Sequence, residues 1–286
     1  MRYNVGLSAF IFVLFWTALI SNSMILFTFI KKPKLINTPN MFVLALLLSD
    51  LIVNILGHPM DFLSFYNGQW MWGNSGCVFY GFALFTAGHT DILLITATAI
   101  NRYIMIVKPL KAHLFTKTNV LLGIGACLAA SSFWAVLPLL GVNRYVQGTD
   151  GMTCSINFTS RRSLDILYSV LILFFAWLFP ASVCVFCYTK IFATIKEINA
   201  KSRETASDDA AEANRQAEIN MAKIALTICV GADKVPTYIL LTPAVIAKTA
   251  IAINPLIYAY NNKQLRQAMA ETIPFCGGSK VKPEGS

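Results

Sequence analysis

The chain has 286 residues, of which 56% are hydrophobic and only 13% are charged. Soluble domains carry about 25% charged residues, so the composition excludes an ordinary soluble domain of this length. The formal net charge is +9, but most basic residues stand in short connectors between apolar blocks. That distribution is an orientation signal of membrane proteins and does not indicate a nucleic-acid partner. We therefore expect one integral domain in a lipid bilayer.

Long apolar blocks follow one another along the chain. A helix that crosses ~30 Å of hydrocarbon takes about 20 residues, and these blocks reach that length. They are too long for barrel strands, which leaves helices as the structure that satisfies the backbone in lipid. The predicted spans lie at about 6–30, 40–65, 77–106, 119–141, 164–192 and 237–260. The amphipathic segment 261–275 then predicts a helix on the membrane surface.

Lysine and arginine are much more frequent in the connectors on one side of these spans than on the other. This asymmetry predicts an extracellular amino terminus and a cytoplasmic carboxyl terminus, which requires an odd number of spans. The missing sixth span has one candidate, the segment 219–232. Its uncharged part, Ile224 to Ala232, covers only ~14 Å as a helix, about half of the hydrocarbon core. We predict an all-α membrane protein, a bundle of seven transmembrane helices whose sixth span is truncated.

Three ionisable residues, Asp50, Asp91 and Lys248, fall inside apolar spans, where a charged side chain usually faces a cavity or a partner. Lys248 lies ~18 Å from the inner end of its span, so its amine does not easily reach water there. A desolvated lysine loses its proton readily, and the neutral amine forms Schiff bases with aldehydes. Lys248 is therefore a candidate attachment site, with a lysine that extends to the interface as the alternative.

Several short motifs resemble those of the rhodopsin-like G-protein-coupled receptors and, within them, the opsins. Lys248 stands six residues before Asn254, which is similar to the spacing of the retinal lysine in opsins. The other motifs are Asn22, LxxxD ending at Asp50, NRY at 101–103, Pro180, Tyr188, NPLIY at 254–258 and NKQLR after it. Segments of the second span and the second outer loop resemble the branch of peropsins, retinochromes and retinal photoisomerases. The similarity covers nearly the whole chain.

The resemblance implies a light-sensing receptor that holds retinal on Lys248 as a Schiff base and signals to a heterotrimeric G protein. It implies a receptor more than an enzyme. The alternatives are a photoisomerase that converts all-trans to 11-cis retinal, and a non-signalling truncated variant. The seven-transmembrane domain would span 1–276 and the short cytoplasmic tail 277–286. Cys276, which follows the surface helix, is the expected lipidation site.

A protonated Schiff base in a pocket of low dielectric constant needs an anion. Many visual opsins have a glutamate at the position of Tyr80, so that counterion is absent from this chain. Asp61, near the outer end of the second span, is the candidate counterion, and Asp150 in the second outer loop is the alternative. Asp61 has an equally weighted interpretation as a helix-end residue in water. Trp134 is the expected retinal contact, and Tyr80 is a candidate hydrogen-bond donor in the pocket.

The resemblance also implies a disulfide between Cys77 and Cys154 that holds the second outer loop over the pocket. In the same loop Asn157, Phe158 and Thr159 form a glycosylation sequon, a pattern that also occurs often by chance.

The expected signalling residues form a polar path from the middle of the bundle to its inner face. They are Asp50, Asn101, Arg102, Tyr103, Asn254, Pro255 and Tyr258. Asn101 replaces the acidic neighbour that this arginine usually has, and Glu218 is a candidate for its distal partner. Asp50 and Asp91 would share a proton or bind Na⁺ if they lie close together, with structural hydrogen bonding as the alternative. We expect no other metal site.

Overall fold

The computed structural model describes residues 2–203, 249, 251–255, 258–259 and 263–273. Five helices in these ranges are long and apolar enough to cross a membrane, which confirms the first five predicted spans. The predicted sixth span at 219–232, Glu218, Lys248, Cys276 and the tail 277–286 lie outside the described residues. The predictions for those parts of the chain remain predictions.

The first three spans are single α-helices. They are α1 (Arg2–Lys31), α2 (Thr38–Asn67) and α3 (Gly73–Val107). The fourth span is α4 (Lys117–Val136), which continues as a 3₁₀ turn (Leu137–Leu140). Local side chains set the bounds of α2: Asn37 accepts a hydrogen bond from the backbone N–H of Asn40, and Gly68 ends the helix with a left-handed backbone. An asparagine cap and a glycine after the last turn are the preferred residues at these two places, because they satisfy free backbone groups without strain.

The fifth span is interrupted. It consists of α5 (Ser163–Ile172), a π-helical segment (Leu173–Leu178) and α6 (Phe179–Arg203). Pro180 explains the interruption, because proline has no N–H to donate and its ring collides with the carbonyl four residues earlier. The helix widens there, and the Phe179 N–H donates to the Phe174 carbonyl instead.

α3 is the central helix of the described bundle, because it packs against α2, α4, α6 and the outer hairpin. Large aliphatic and aromatic side chains on the outside of the bundle are exposed, including Leu122, Phe133 and Val170. Such a surface is unsuited to water and suits a helix bundle surrounded by lipid tails.

The second outer loop forms a short antiparallel hairpin of β1 (Tyr145–Gln147) and β2 (Cys154–Ile156). The Cys77–Cys154 disulfide joins β2 to the first turns of α3, as the resemblance implied. Tyr145 packs directly on Gly81 of α3, where an added Cβ would lie 2.4 Å from the tyrosine ring. Its hydroxyl donates to the Ala135 carbonyl at 2.8 Å, and burial raises the pKa of Tyr145. The hairpin is thereby fixed to α3 and α4.

The predicted surface helix at 261–275 is observed over Lys263–Thr272. Its apolar side packs on the inner ends of α1 and α2, where Leu265 is only 1% exposed beside Phe29 and Leu47. Its polar side carries Glu271, which accepts a hydrogen bond from Lys32 at 2.9 Å. The helix is therefore attached to the bundle by a buried apolar contact and a surface ion pair.

Candidate functional site

The centre of the candidate site is a buried pair of side chains from two helices. Asp61 on α2 is 0% exposed and Tyr80 on α3 is 3% exposed. The Tyr80 hydroxyl donates a hydrogen bond to Asp61 Oδ1 at 2.6 Å. The interpretation of Asp61 as a helix-end residue in water is therefore wrong, because the neighbouring helix and loop enclose it.

The outer loops form the cover of this pair. The ring of Trp70 stands edge-on against Tyr80, with 5.1 Å between the ring centroids. Trp70 packs in one cluster with Tyr80 and the Cys77–Cys154 disulfide, and its backbone N–H donates to the Gly151 carbonyl at 2.8 Å. Trp70 was not predicted as a site residue; its signal in the sequence is the tryptophan pair at 70 and 72, shortly before Cys77. Because water has little access beneath this cover, polar interactions in the site are strengthened.

Asp150, the alternative counterion, lies in the outer loop and is largely occupied by local bonds. Its Oδ1 accepts hydrogen bonds from the backbone N–H groups of Met152 and Thr153, and its Oδ2 accepts one from the Thr153 hydroxyl. Its neighbour Gly151 accepts the hydrogen bond from the Trp70 N–H, so Asp150 belongs to the loop that covers the site. The hydrogen bonds to its carboxylate show that Asp150 stabilises the turn between β1 and β2.

The predicted retinal contact Trp134 belongs to a different cluster of the described residues. It lies on α4, stacks on Phe175 at 5.7 Å and packs near Tyr168, whose hydroxyl donates to the Trp134 carbonyl. Tyr80, the hydrogen-bond partner of Asp61, packs in a separate cluster with Trp70 and the Cys77–Cys154 disulfide. The structure therefore places Trp134 between α4 and the fifth span, in a cluster that does not include the Asp61–Tyr80 pair. Two other aromatic residues near this depth, Phe174 and Trp177, lie on the exposed outer surface.

A polar cluster occupies the middle of the bundle. Asn22 on α1 donates to the Ile251 carbonyl of the last span at 3.2 Å. Asp50 on α2 is fully buried, lies beside Asn254 of the last span, and is close enough to Asp91 on α3 for the two charges to interact. The structure thus brings together residues that are far apart in the sequence. Two buried carboxylates in such a cluster favour sharing a proton or a cation.

The inner end of α3 carries the NRY sequence. Asn101 is buried, whereas Arg102 is exposed, and its charge acts on the hydroxyls of Tyr188 and Tyr258. Tyr103 packs against Phe186 of α6 at 5.7 Å. Helices α3 and α6 and the last span therefore converge at Arg102. Pro255, one turn before Tyr258, is buried.

Comparison with known proteins assigns this arrangement to a family. The family described as 7 transmembrane receptor (rhodopsin family) matches residues 21–232, which is more than half of the chain. The chain belongs to the rhodopsin family of seven-transmembrane receptors, and it is therefore an integral multi-pass membrane protein.

Its relatives include opsins. The chain is 29% identical to rhodopsin of Scyliorhinus canicula over 298 residues, which covers 98% of this chain and 83% of the relative. It is 28% identical to melanopsin of Branchiostoma belcheri, covering 97% of this chain but only 43% of that relative. The chain thus spans less than half the length of that melanopsin. The fold is similar to a crystal structure of squid rhodopsin, with a TM-score of 0.79 and 22% identity over 98% of this chain and 89% of that one.

Proposed function

We propose that the chain is a light-sensing G-protein-coupled receptor that binds retinal through Lys248 as a Schiff base. The observation that supports it most is the buried Asp61 carboxylate beneath the disulfide-linked loop. A buried anion in such a place is costly unless a cation or strong donors accompany it. A protonated Schiff base is a cation of the required kind.

The described part of the last span supports the position of Lys248. Ile251 and Ala252, three and four residues after Lys248 in the sequence, belong to one apolar cluster with Val53 and Phe65 of α2. Asp61 stands between these two α2 residues in the sequence. The described part of the last span therefore shares a packing cluster with the helix that carries the candidate counterion.

The residues of the chain have distinct tasks in this proposal. Asp61 balances the charge of the imine, Tyr80 fixes the carboxylate by its hydrogen bond, and the hairpin with Trp70 excludes water. Bound retinal would supply the light-driven isomerisation. Trp134 remains a proposed contact only toward the α4 side of the site, because it lies in a separate cluster.

We propose that the central polar cluster couples this site to the inner face, where Arg102 would meet a G protein. The proposed orientation has the amino terminus outside and the carboxyl terminus inside, which agrees with the basic connectors and with a disulfide in an oxidising compartment. Lipidation of Cys276 would add a second anchor beside the surface helix.

Asp50 and Asp91 are proposed to hold a shared proton or Na⁺. Thermal unfolding in sodium chloride and in choline chloride at equal ionic strength separates the two. Stabilisation by sodium that is lost in Asp91→Asn supports the cation, and equal stability in both salts supports the proton.

A finer placement in the branch of peropsins, retinochromes and photoisomerases is proposed on the sequences at 57–77, 133–141 and 151–158. That branch keeps the photoisomerase as the alternative function. The truncated sixth span predicted at 219–232 keeps a non-signalling variant as a further one.

Reconstitution with retinal tests the proposal. The purified protein is incubated in the dark with 11-cis or all-trans retinal, illuminated, and assayed for its absorption spectrum, for extracted isomers and for nucleotide exchange on a G protein. Light-dependent exchange supports the receptor. Uptake of all-trans retinal and release of the 11-cis isomer without exchange supports the photoisomerase, and uptake of neither isomer overturns both.

A further inference from the structure

The second outer loop contains the only Asn-x-Ser/Thr sequon of the 286-residue chain, at Asn157, Phe158 and Thr159. The sequon begins immediately after β2, the strand that carries Cys154 of the disulfide. Disulfides persist in compartments such as the lumen of the endoplasmic reticulum, where N-linked glycans are also added. The disulfide and the sequon therefore indicate the same side of the membrane for this loop.

The described hydrogen bonds of the sequon use the side-chain oxygen of Asn157 and not its nitrogen, the atom to which a glycan is joined. The backbone N–H and the hydroxyl of Thr159 both donate to Asn157 Oδ1, at 3.1 and 3.0 Å. Within the described residues no hydrogen bond uses Asn157 Nδ2. Phe158 is 62% exposed and Thr159 is exposed as well. A group joined to Nδ2 of the half-buried Asn157 would therefore break no hydrogen bond of the described residues.

The backbone of Asn157, in contrast, is firmly held. Its N–H donates to the Arg144 carbonyl at 3.0 Å, and its carbonyl accepts from Asn143 Nδ2 at 3.2 Å. Asn143 is fixed in turn by its own N–H, which donates to Asp165 Oδ1 on α5. The position therefore combines a fixed backbone with a side-chain nitrogen that takes part in none of the described hydrogen bonds.

We propose that Asn157 carries an N-linked glycan on the outer face of the receptor. A lipid-linked oligosaccharide diphosphate supplies the sugar. Asn157 Nδ2 forms the bond to the anomeric carbon and gives up one proton, and the bond from that carbon to the diphosphate breaks, with the lipid diphosphate as leaving group. The glycan occupies the outer surface beside the hairpin and leaves the covered Asp61–Tyr80 pair untouched. This inference rests on the proposed orientation of the chain.

The test uses the full chain expressed in eukaryotic cells and treated with an N-glycosidase. We expect the wild-type band to move on the gel after treatment, and peptide mass analysis to find Asn157 converted to aspartate. Asn157→Gln and Thr159→Ala abolish the movement, whereas Thr159→Ser keeps it at least in part, because serine also completes the sequon. Thermal stability of each variant confirms that it is folded.

A second variant carries an added sequon in an amino-terminal extension. It distinguishes a wrong glycosylation site from a wrong orientation of the chain in the membrane. If the extension is glycosylated and Asn157 is not, the orientation is right and the proposed site is wrong. If neither is glycosylated in a folded protein, the proposed orientation is overturned as well. Retinal uptake by the same preparation is measured from its spectrum, so failure of the glycan and failure of the proposed function are recorded separately.

Discussion

The hydrogen bond between Tyr80 and Asp61 places a carboxylate of α2 next to the α3 position at which many visual opsins have a glutamate. At 2.6 Å it has the length of a charge-assisted O–H···O⁻ bond, which is stronger than a neutral one. Although position 80 is a tyrosine, the site still contains an acidic group, because the neighbouring helix contributes Asp61. We propose that Asp61 takes the counterion role from α2, because a counterion needs only to lie near the imine.

Asp61→Asn should lower the pH at which the visible band of the reconstituted pigment is lost. The imine cation loses its anion, so it gives up its proton at lower pH. A unit charge at about 4 Å and an effective dielectric constant of ~20 contributes ~4 kcal/mol, which corresponds to a midpoint shift of about 3 pH units. The measurement is an absorbance titration of wild type and variant.

Asp150→Asn is the matched control for this titration. Because its carboxylate is bound to Thr153 and to the Met152 N–H, we expect a midpoint within about half a pH unit of wild type, as for a partly exposed and screened charge. A larger shift with Asp150→Asn than with Asp61→Asn would assign the counterion to the loop.

The candidate site was predictable in part from the sequence. Asp61 and Tyr80 could be selected because an acidic residue near a helix end and a missing glutamate are both visible in the chain. Whether Asp61 is in water could not be predicted, because its burial depends on Trp70 and the hairpin, which reach it through tertiary contacts. The packing of Trp134 could not be predicted either, because its position in the sequence does not show that it lies in a separate cluster.

At the scale of elements, hydropathy predicted the first four described spans to within a few residues. It ended the fifth span at 192, whereas α6 continues to Arg203, and it did not predict the π-helical segment at Leu173–Leu178. Hydropathy depends on composition, whereas the widened turn results from the missing N–H of Pro180. The hairpin of the outer loop was also not predicted, because its two strands have three residues each and their register follows from the disulfide and from packing on α3.

Gly81→Ala should destabilise the protein by about 1–3 kcal/mol, since extra atoms forced into a packed site displace their neighbours. The new Cβ would lie 2.4 Å from the Tyr145 ring and push the hairpin from α3. The measurement is thermal unfolding of the purified receptor. Gly88→Ala on the same helix is the control, because an added Cβ there meets no atom of the described residues within 4 Å. Equal effects of both substitutions would contradict close packing of the hairpin on α3.

The surface helix should depend on its apolar contact and not on its ion pair. Leu265→Ala removes a buried side chain, and such truncations cost roughly 2–5 kcal/mol. Glu271→Gln breaks an ion pair whose side chains are 44% and 64% exposed, and exposed pairs of this kind contribute about 0–1 kcal/mol. Chemical unfolding of both variants checks the order, and a larger loss with Glu271→Gln would refute it.

At the scale of the whole molecule, the described helices form a bundle with a polar cluster inside and an apolar surface outside, a distribution suited to lipid. Length and hydropathy predicted this architecture, because the bilayer fixes both the type and the length of a spanning element. The contacts that join α1, α2, α3 and the last span could be seen only in three dimensions. They involve Asn22, Asp50, Asp91 and Asn254. We propose that contacts of the bundle interior connect the Asp61–Tyr80 site to Arg102.

Borohydride reduction of the reconstituted protein tests whether retinal is attached to Lys248. Reduction makes the imine permanent, and mass analysis of the peptides then locates the retinyl group. We expect one modified peptide, which contains Lys248, and no modification in Lys248→Ala, whose folding is confirmed by thermal unfolding. A retinyl group on another lysine, or none in a folded wild-type protein supplied with either isomer, would contradict the proposed attachment.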